Sequence, residues 1–450
     1  MKKIILLNSP IYNKKVADSE DYLPPLGLGY IATYLKKNGI DVKILDCVYK
    51  NLTINEILGV IEKEKPDFVG VNIFSVNMEL VKEIIEKCKT KTSFIVGGKS
   101  TKFMYNDIIN FNTDNSITVT IGEGEYITLD IVNECVKQES IVKDKKDRKV
   151  YCLDGNSIYF PADISKLELD RSFFEERRTK NIYGKEEEAI VTSRECLYNC
   201  AFCGGARSLN RDVPVRVRSE QDIIEELKQI QKIHPGTQSI RILDDLFLKN
   251  EDSIKMAIRI FKQFPFEWRA MAHIKSLQGS EELFSQLEKS GCRELEIGIE
   301  SGNENMRKRI HKIGTTAEIY EVISKILENG INVKGYFMYG FPNETKEQCK
   351  DTYILAAKLT ECAKNKKGKF RTSAFQFRPY HGTELYNILN KKITYKHNDS
   401  LDVLKGRSQF NFMAENFSAC SQEFINKIVI ETNKLGSEIE EENDREDKEL

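Results

Sequence analysis

The sequence predicts an α/β protein in two parts: a doubly wound, Rossmann-like parallel sheet, then a partial (β/α)6 barrel with a small helical C-terminal region. Three observations predict it. Short apolar runs alternate with helical stretches twice over, in residues 3–138 and again in 186–390. A charged stretch, QESIVKDKKDRK, separates the two series. Glycine or proline follows several of the apolar runs, as strand-end turns require.

In the first series, Lys3–Asn8 (KIILLN) reads as a strand ending at Pro10, and Gly29–Asn38 as a helix stopped by Gly39. Asp41–Asp46 is a strand, Ile54–Lys65 a helix closed by Pro66, and Phe68–Phe74 (FVGVNIF) a buried strand. Met78–Lys89 is a helix, Ser93–Gly98 a strand, and Ser116–Ile121 another, followed by Gly122-Glu123-Gly124-Glu125 and a helix to Lys137. Five strands separated by helices make residues 1–138 one unit. Residues 139–185 form a bridge, in which Val150–Phe160, around Asp154-Gly155-Asn156, reads as a hairpin.

In 186–390 the strands are Glu188–Thr192, Gln238–Leu243, Glu267–Ala272, Glu294–Glu300, Asn332–Gly340 and Phe370–Phe377. Helical patterns lie between them, such as Ser219–Lys232, which Ser219-Glu220-Gln221-Asp222 opens. Six βα units in about 200 residues suit a partial parallel barrel, whose chemistry sits at the strand carboxyl ends. Residues 391–435 read as a helical appendage, and 436–450 as an acidic, unstructured tail.

Composition narrows the function classes. Of 450 residues, 40% are hydrophobic and 30% charged, ordinary values for a globular protein. The net charge of -1 provides no global field for nucleic acid or anionic lipid. No apolar stretch approaches the roughly 18 residues of a membrane span, and MKKIILLNSP reads as a first strand rather than a signal peptide. The expected location is the cytoplasm. Eleven cysteines fit a reducing compartment, where most act as small core residues.

Three of those cysteines are clustered. Thr192-Ser193-Arg194-Glu195-Cys196-Leu197-Tyr198-Asn199-Cys200-Ala201-Phe202-Cys203-Gly204-Gly205 follows a predicted strand. Three thiolates within eight residues can wrap one face of a metal centre. A structural zinc takes four ligands, and no fourth Cys or His lies nearby, the next histidine being His234. A 4Fe–4S cluster also normally takes four thiolates. Three leave one iron open, as a substrate-binding cluster needs. Zinc completed from a distance, or three buried cysteines brought together by chance, are the alternatives.

CLYNCAFC resembles the CxxxCxΦC signature of radical S-adenosylmethionine (SAM) enzymes, with Phe202 as the aromatic residue. The resemblance extends over the barrel, through IRILDDLFL (240–248), IGIESG (297–302), GYFMYGFP (335–342) and QFRPYHGTEL (376–385), each at a strand end. It implies a 4Fe–4S cluster on Cys196, Cys200 and Cys203. It also implies SAM contacts from Phe202, Gly204, Asp244, Asp245, Glu300, Ser301 and Arg378. Arg216 or Arg218 is a candidate to neutralise a carboxylate, or else part of a solvated strand edge. His273 stands where relatives often carry Arg, as a site residue or as a satisfied strand-end histidine.

In the first unit, PPLGLGYIA (24–32) resembles the opening of the cobalamin-binding domains fused to such barrels. Pro66-Asp67-Phe68-Val69-Gly70-Val71, Gly97-Gly98 and Gly122-Glu123-Gly124-Glu125 resemble later turns of that domain. The resemblance implies cobalamin contacts from Pro25, Leu26, Gly27, Ser75, Gly97, Gly98, Gly122, Glu123 and Gly124. Two departures stand out. No Asp-x-His-x-x-Gly stretch supplies a lower cobalt ligand, and Lys99-Ser100-Thr101 replaces the family's usual Pro-His-Ala-Thr. A vestigial sheet without cobalamin is the alternative.

The two-domain resemblance is to the class B radical SAM methyltransferase-like family. It implies radical methyl transfer to an unactivated centre of a natural product, peptide or lipid, with a flavodoxin or ferredoxin as reductant. Radical cyclisation, ring contraction or another rearrangement is the alternative with the same domains, and a non-catalytic Fe–S sensor the alternative from another class.

Overall fold

The computed structural model describes residues 1–11, 22–143, 147–153, 158–175, 177, 179–211, 213–389, 396–397, 412–413 and 415–435. The first sheet comprises β1 (Lys3–Asn8), β2 (Asp41–Asp46), β3 (Phe68–Asn72), β4 (Ser93–Gly97), β5 (Ser116–Ile121) and β6 (Arg148–Cys152). The order is β2-β1-β3-β4-β5-β6, and every pairing is parallel. A parallel sheet must be covered on both faces, and the period-two alternation of β1 shows how. Ile5 and Leu7 pack with the helices Ile54–Glu64 and Met78–Lys87. Ile4 and Leu6 pack with the helices Leu26–Lys37 and Glu125–Val132.

The second sheet comprises β7 (Glu187–Ile190), β10 (Ser239–Ile242), β11 (Glu267–Ala272), β12 (Cys292–Glu300), β13 (Asn332–Tyr339) and β14 (Phe370–Gln376). Between β7 and β10 lies a short antiparallel pair, β8 (Ser193–Arg194) with β9 (Arg216–Val217). The six long strands pair in chain order and in parallel, and β14 does not pair back to β7, so the barrel is open. Its core is Ile, Leu, Phe and Trp268 under the surrounding helices. Part of its interior is ionic. Arg371 clasps Glu294 with two bonds of 2.7 Å, and Arg269 bonds Glu187 at 2.9 and 2.5 Å. Both arginines and Glu294 are almost wholly buried.

Two expectations change. Residues 148–152 do not start a hairpin; they form β6, parallel to β5, with Val119 opposite Val150. Val150 and Tyr151 are both buried there, in the layers on opposite faces of the sheet. The hairpin's turn, 154–157, lies outside the described residues, as do 436–450 and most of 390–414. The helix expected to reach Lys137 stops at Val132, with Glu134 in the left-handed region at φ 59°. Of the C-terminal appendage, the helix Gln422–Lys434 packs on β14, where Asn433 bonds both the N–H and the carbonyl of Ala374. Among the described residues, no helix is long and apolar enough to cross a membrane.

Candidate active site between the two sheets

The carboxyl ends of both sheets meet at one place. In a doubly wound sheet, ligands bind where the strand order reverses, here between β1 and β3. A cavity of about 660 Å³ opens at that point, lined by Asn8 and Ser9 after β1 and by Asn72 and Phe74 at the end of β3. Pro25, Leu26, Gly27, Gly97, Gly98, Gly122, Glu123 and Gly124 line it too, and Val191, Arg194 and Leu243 of the barrel close it. A second cavity of about 400 Å³ shares Gly27, Gly98, Gly122, Glu123 and Arg194, and adds Lys99, Glu195 and Asp245.

The first cavity fits a corrin. A Cβ on Gly27 would meet nothing within 4 Å, so that side of the cavity stays open for a flat ligand. Gly98 sits at φ +133°, and a Cβ there would stand 2.4 Å from the Ile73 carbonyl, so no other residue fits. None of the lining residues is a histidine.

The cysteine loop runs between β8 and β9, on the barrel side. Its sulfurs are half-buried, and backbone N–H groups point at two of them: Tyr198 N donates to Cys196 Sγ at 3.5 Å and Gly205 N to Cys203 Sγ at 3.3 Å. Such bonds favour thiolates, yet burial pushes all three thiols up, Cys203 to about 12. A bound metal reverses that balance. Among the described residues, no three Cys, His, Asp or Glu side chains converge on a single-ion site. A cubane cluster takes one thiolate per iron.

Other residues surround the loop. Glu300, at φ +66° where β12 bulges, pairs with Lys312 at 3.4 Å, and both face Cys200. Burial raises the Glu300 carboxyl, and Lys312 partly offsets it. Phe202 packs on Phe341 at 5.9 Å. Gly204 faces open space. Arg378 is buried beside the Phe375 ring, at 5.7 Å. His273 stacks on Tyr198 at 3.9 Å between ring centroids. Its Nδ1 accepts from Lys275 N at 3.1 Å and its Nε2 has no partner among the described residues. Burial, with Lys312 and Arg307 nearby, lowers its pKa to about 2, so the ring is neutral. It is a half-satisfied strand-end residue that touches the cysteine loop.

Several residues expected to touch cofactors make hydrogen bonds or ion pairs within the protein. Asp244 is buried and accepts from Thr192 N (2.7 Å), Thr192 Oγ1 and Ser193 Oγ (both 2.6 Å), which fixes the start of the cysteine loop. Ser301 is fully buried, its hydroxyl bonded to Thr352 Oγ1 and to Asn303 N. Ser75 does not line the cavity; its hydroxyl meets His381 N and Nδ1 at 3.1 and 3.0 Å. Glu123 lines both cavities, but its carboxylate is clamped by Arg216 (2.8 and 2.7 Å) and Arg194 (2.8 Å). Arg216 is therefore buried and not a solvated edge, and Arg218 is buried against Asp222 and Glu226. Both neutralise carboxylates of this chain. The sequence reading missed Lys312, Tyr198 and Glu195 as neighbours of the site, because none carries a spacing signal. It noted Lys99 only as a departure, whereas Lys99 Nζ crosses to Asp245 at 2.9 Å.

Comparison with known proteins agrees with this geometry. Residues 190–356 match the Radical SAM superfamily and residues 14–132 the B12 binding domain. The chain belongs to the B12-binding radical SAM enzymes. Its cofactors are accordingly a 4Fe–4S cluster, SAM and cobalamin. An uncharacterized methyltransferase of Pyrococcus horikoshii is 26% identical over 346 residues, 75% of this chain and 73% of that one. An anaerobic magnesium-protoporphyrin IX monomethyl ester cyclase of Rubrivivax gelatinosus is 24% identical, over 78% of this chain and 65% of that one. In fold, the chain resembles TsrM, a radical SAM methyltransferase of Kitasatospora setae (TM-score 0.66, 14% identity, 97% of this chain and 89% of that one). It also resembles OxsB, a cobalamin-dependent SAM radical enzyme (TM-score 0.62, 19% identity, 79% of this chain). The match spans about half of OxsB, 52%.

Proposed function

We propose that this B12-binding radical SAM enzyme is a methyltransferase, moving a methyl group from SAM to an unactivated centre of a small molecule, peptide or lipid. One observation carries the reading: Arg194, two residues before Cys196, lines both cavities at the junction of the two sheets, and Glu195 lines the second. When bound, the cluster with SAM supplies a 5′-deoxyadenosyl radical and cobalamin supplies the methyl group.

The protein's own part is to hold and to shield. Cys196, Cys200 and Cys203 hold the cluster, and the N–H groups of Tyr198 and Gly205 steady two sulfurs. Asp244 pins the loop to the end of β7 through Thr192 and Ser193. The Arg194–Glu123–Arg216 clamp fixes the spacing between the two halves, and a fixed spacing is what radical transfer between bound groups needs. Gly27 would leave room for a corrin on its open side, while Gly97, Gly98, Gly122 and Gly124 let the loops that line the cavity pack closely on the protein's own atoms. Phe202 and Arg378 border the SAM space in this reading. The cytoplasm is the site of action, with a flavodoxin or ferredoxin as electron donor.

The test is anaerobic incubation of the reconstituted enzyme with methyl-labelled SAM, a reductant and a deproteinised extract of the source cells. The expected result is label in a new product, with both S-adenosylhomocysteine and 5′-deoxyadenosine formed. 5′-Deoxyadenosine with an unlabelled, rearranged product would defeat methyl transfer. That outcome would favour the second reading, radical cyclisation or rearrangement, which the similarity to a cyclase supports.

A further inference from the structure

The second cavity carries an unclaimed carboxylate. Its other charged walls are committed: Lys99 to Asp245 at 2.9 Å, and Arg194 to Glu123 and Glu125 at 2.8 and 2.6 Å, while Lys102 has an interaction of its own. Glu195 is the exception. It lines the cavity, yet its Oε2 is buried with no hydrogen-bond partner among the described residues. A buried acceptor without a donor is costly. The Glu195 side chain as a whole is half-buried and lines a cavity of about 400 Å³, so a molecule filling that cavity meets it.

The backbone gives a second, independent sign. Glu195 sits at φ +75°, a conformation that glycine adopts freely and glutamate rarely does. The position directly precedes Cys196. A chain that only needed the turn would be better served by glycine. Strain kept at such a place accompanies a side chain that has a use.

We propose that Glu195 is a ligand-binding residue whose carboxylate accepts a hydrogen bond from an N–H donor of a molecule in this cavity. Two sources carry that chemistry: a side-chain amide of the corrin, since the two cavities share Gly27, Gly98 and Gly122, or an amine of the substrate. The inference rests on the proposed function for what fills the cavity.

The test compares wild-type enzyme with Glu195→Gly and Glu195→Gln, each reconstituted with cluster. Iron content and far-ultraviolet dichroism verify the fold. Glu195→Gly should raise the Tm, because glycine relieves the positive φ. Hydroxocobalamin is then titrated by absorbance, and millimolar agmatine, with butyrate as the control, is scored by the shift in Tm. A rise of about tenfold in the hydroxocobalamin Kd for Glu195→Gly assigns the bond to a corrin amide. An unchanged Kd, with agmatine stabilising wild type but not Glu195→Gly, assigns it to a substrate amine. Glu195→Gln, which keeps one carbonyl oxygen, should lie between. If neither measurement separates wild type from Glu195→Gly, the inference is wrong. Wild type that holds neither iron nor hydroxocobalamin overturns the proposed function, and the inference falls with it. Cofactor loading thus tells the two failures apart.

Discussion

Tyr198 and Gly205 each lend a backbone N–H to a cysteine sulfur, in a loop whose thiols burial would otherwise keep protonated. Replacing any one of Cys196, Cys200 or Cys203 by alanine should therefore cut bound iron from about four atoms per chain towards zero. Iron and sulfide assays check this, with unchanged far-ultraviolet dichroism as the control. Glu344 is the other residue with a measurable signature. It is buried, accepts from Gly340 N at 2.6 Å, and its carboxyl is raised to about 7 by burial. A raised carboxyl pKa means that the folded state binds the proton more tightly. Its contribution is then complete below about pH 4.3, the unfolded value, and is lost as pH rises through about 7. The wild-type Tm should fall between those values and that of Glu344→Gln should fall less, a difference of about 4 kcal/mol at most. Parallel pH slopes for the two proteins would refute the assignment. Sequence alone singled out the cysteines, since their spacing is a local pattern. Glu344 carries no such pattern, because burial is decided by distant residues.

At the scale of elements, β12 combines the barrel's two tasks. Its first half points Glu294 at Arg371 inside the barrel, and its last residue turns Glu300 towards the cysteine loop. Removing one partner of a buried pair strands the other charge, at about 3–5 kcal/mol. Glu294→Ala should lower stability by about that amount in urea titration. An exposed pair such as Lys87–Glu83 should cost under about 1 kcal/mol when broken. Equal effects at the two sites would contradict the buried network. Most strands were legible because apolar runs bounded by turns mark them. β6 was not, since its pattern suits a hairpin as well as an edge strand, and its parallel partner β5 is remote in the chain from the turn that suggested otherwise.

At the scale of the whole molecule, function depends on two sheets presenting their carboxyl ends to one junction. Gly27 tests that arrangement. A Cβ there meets no atom of the described residues within 4 Å, and Gly27 lines both cavities. Gly27→Val should keep the Tm within a few degrees, because surface and cavity changes without clashes cost little. It should weaken hydroxocobalamin binding by about tenfold or more. Loss of stability with intact binding would place the corrin elsewhere. The sequence by itself determined the order of most strands and helices, the three-cysteine loop and the glycine turns, since each is written in neighbouring residues through periodicity, spacing and backbone freedom. Only the tertiary structure decided which charges are spent. Asp244, Ser301, Ser75 and Glu123 carry family-like positions, but each has a partner 51 or more residues away. A polar side chain's role is set by what stands opposite it, and in a chain folded from two sheets that neighbour is not adjacent in sequence.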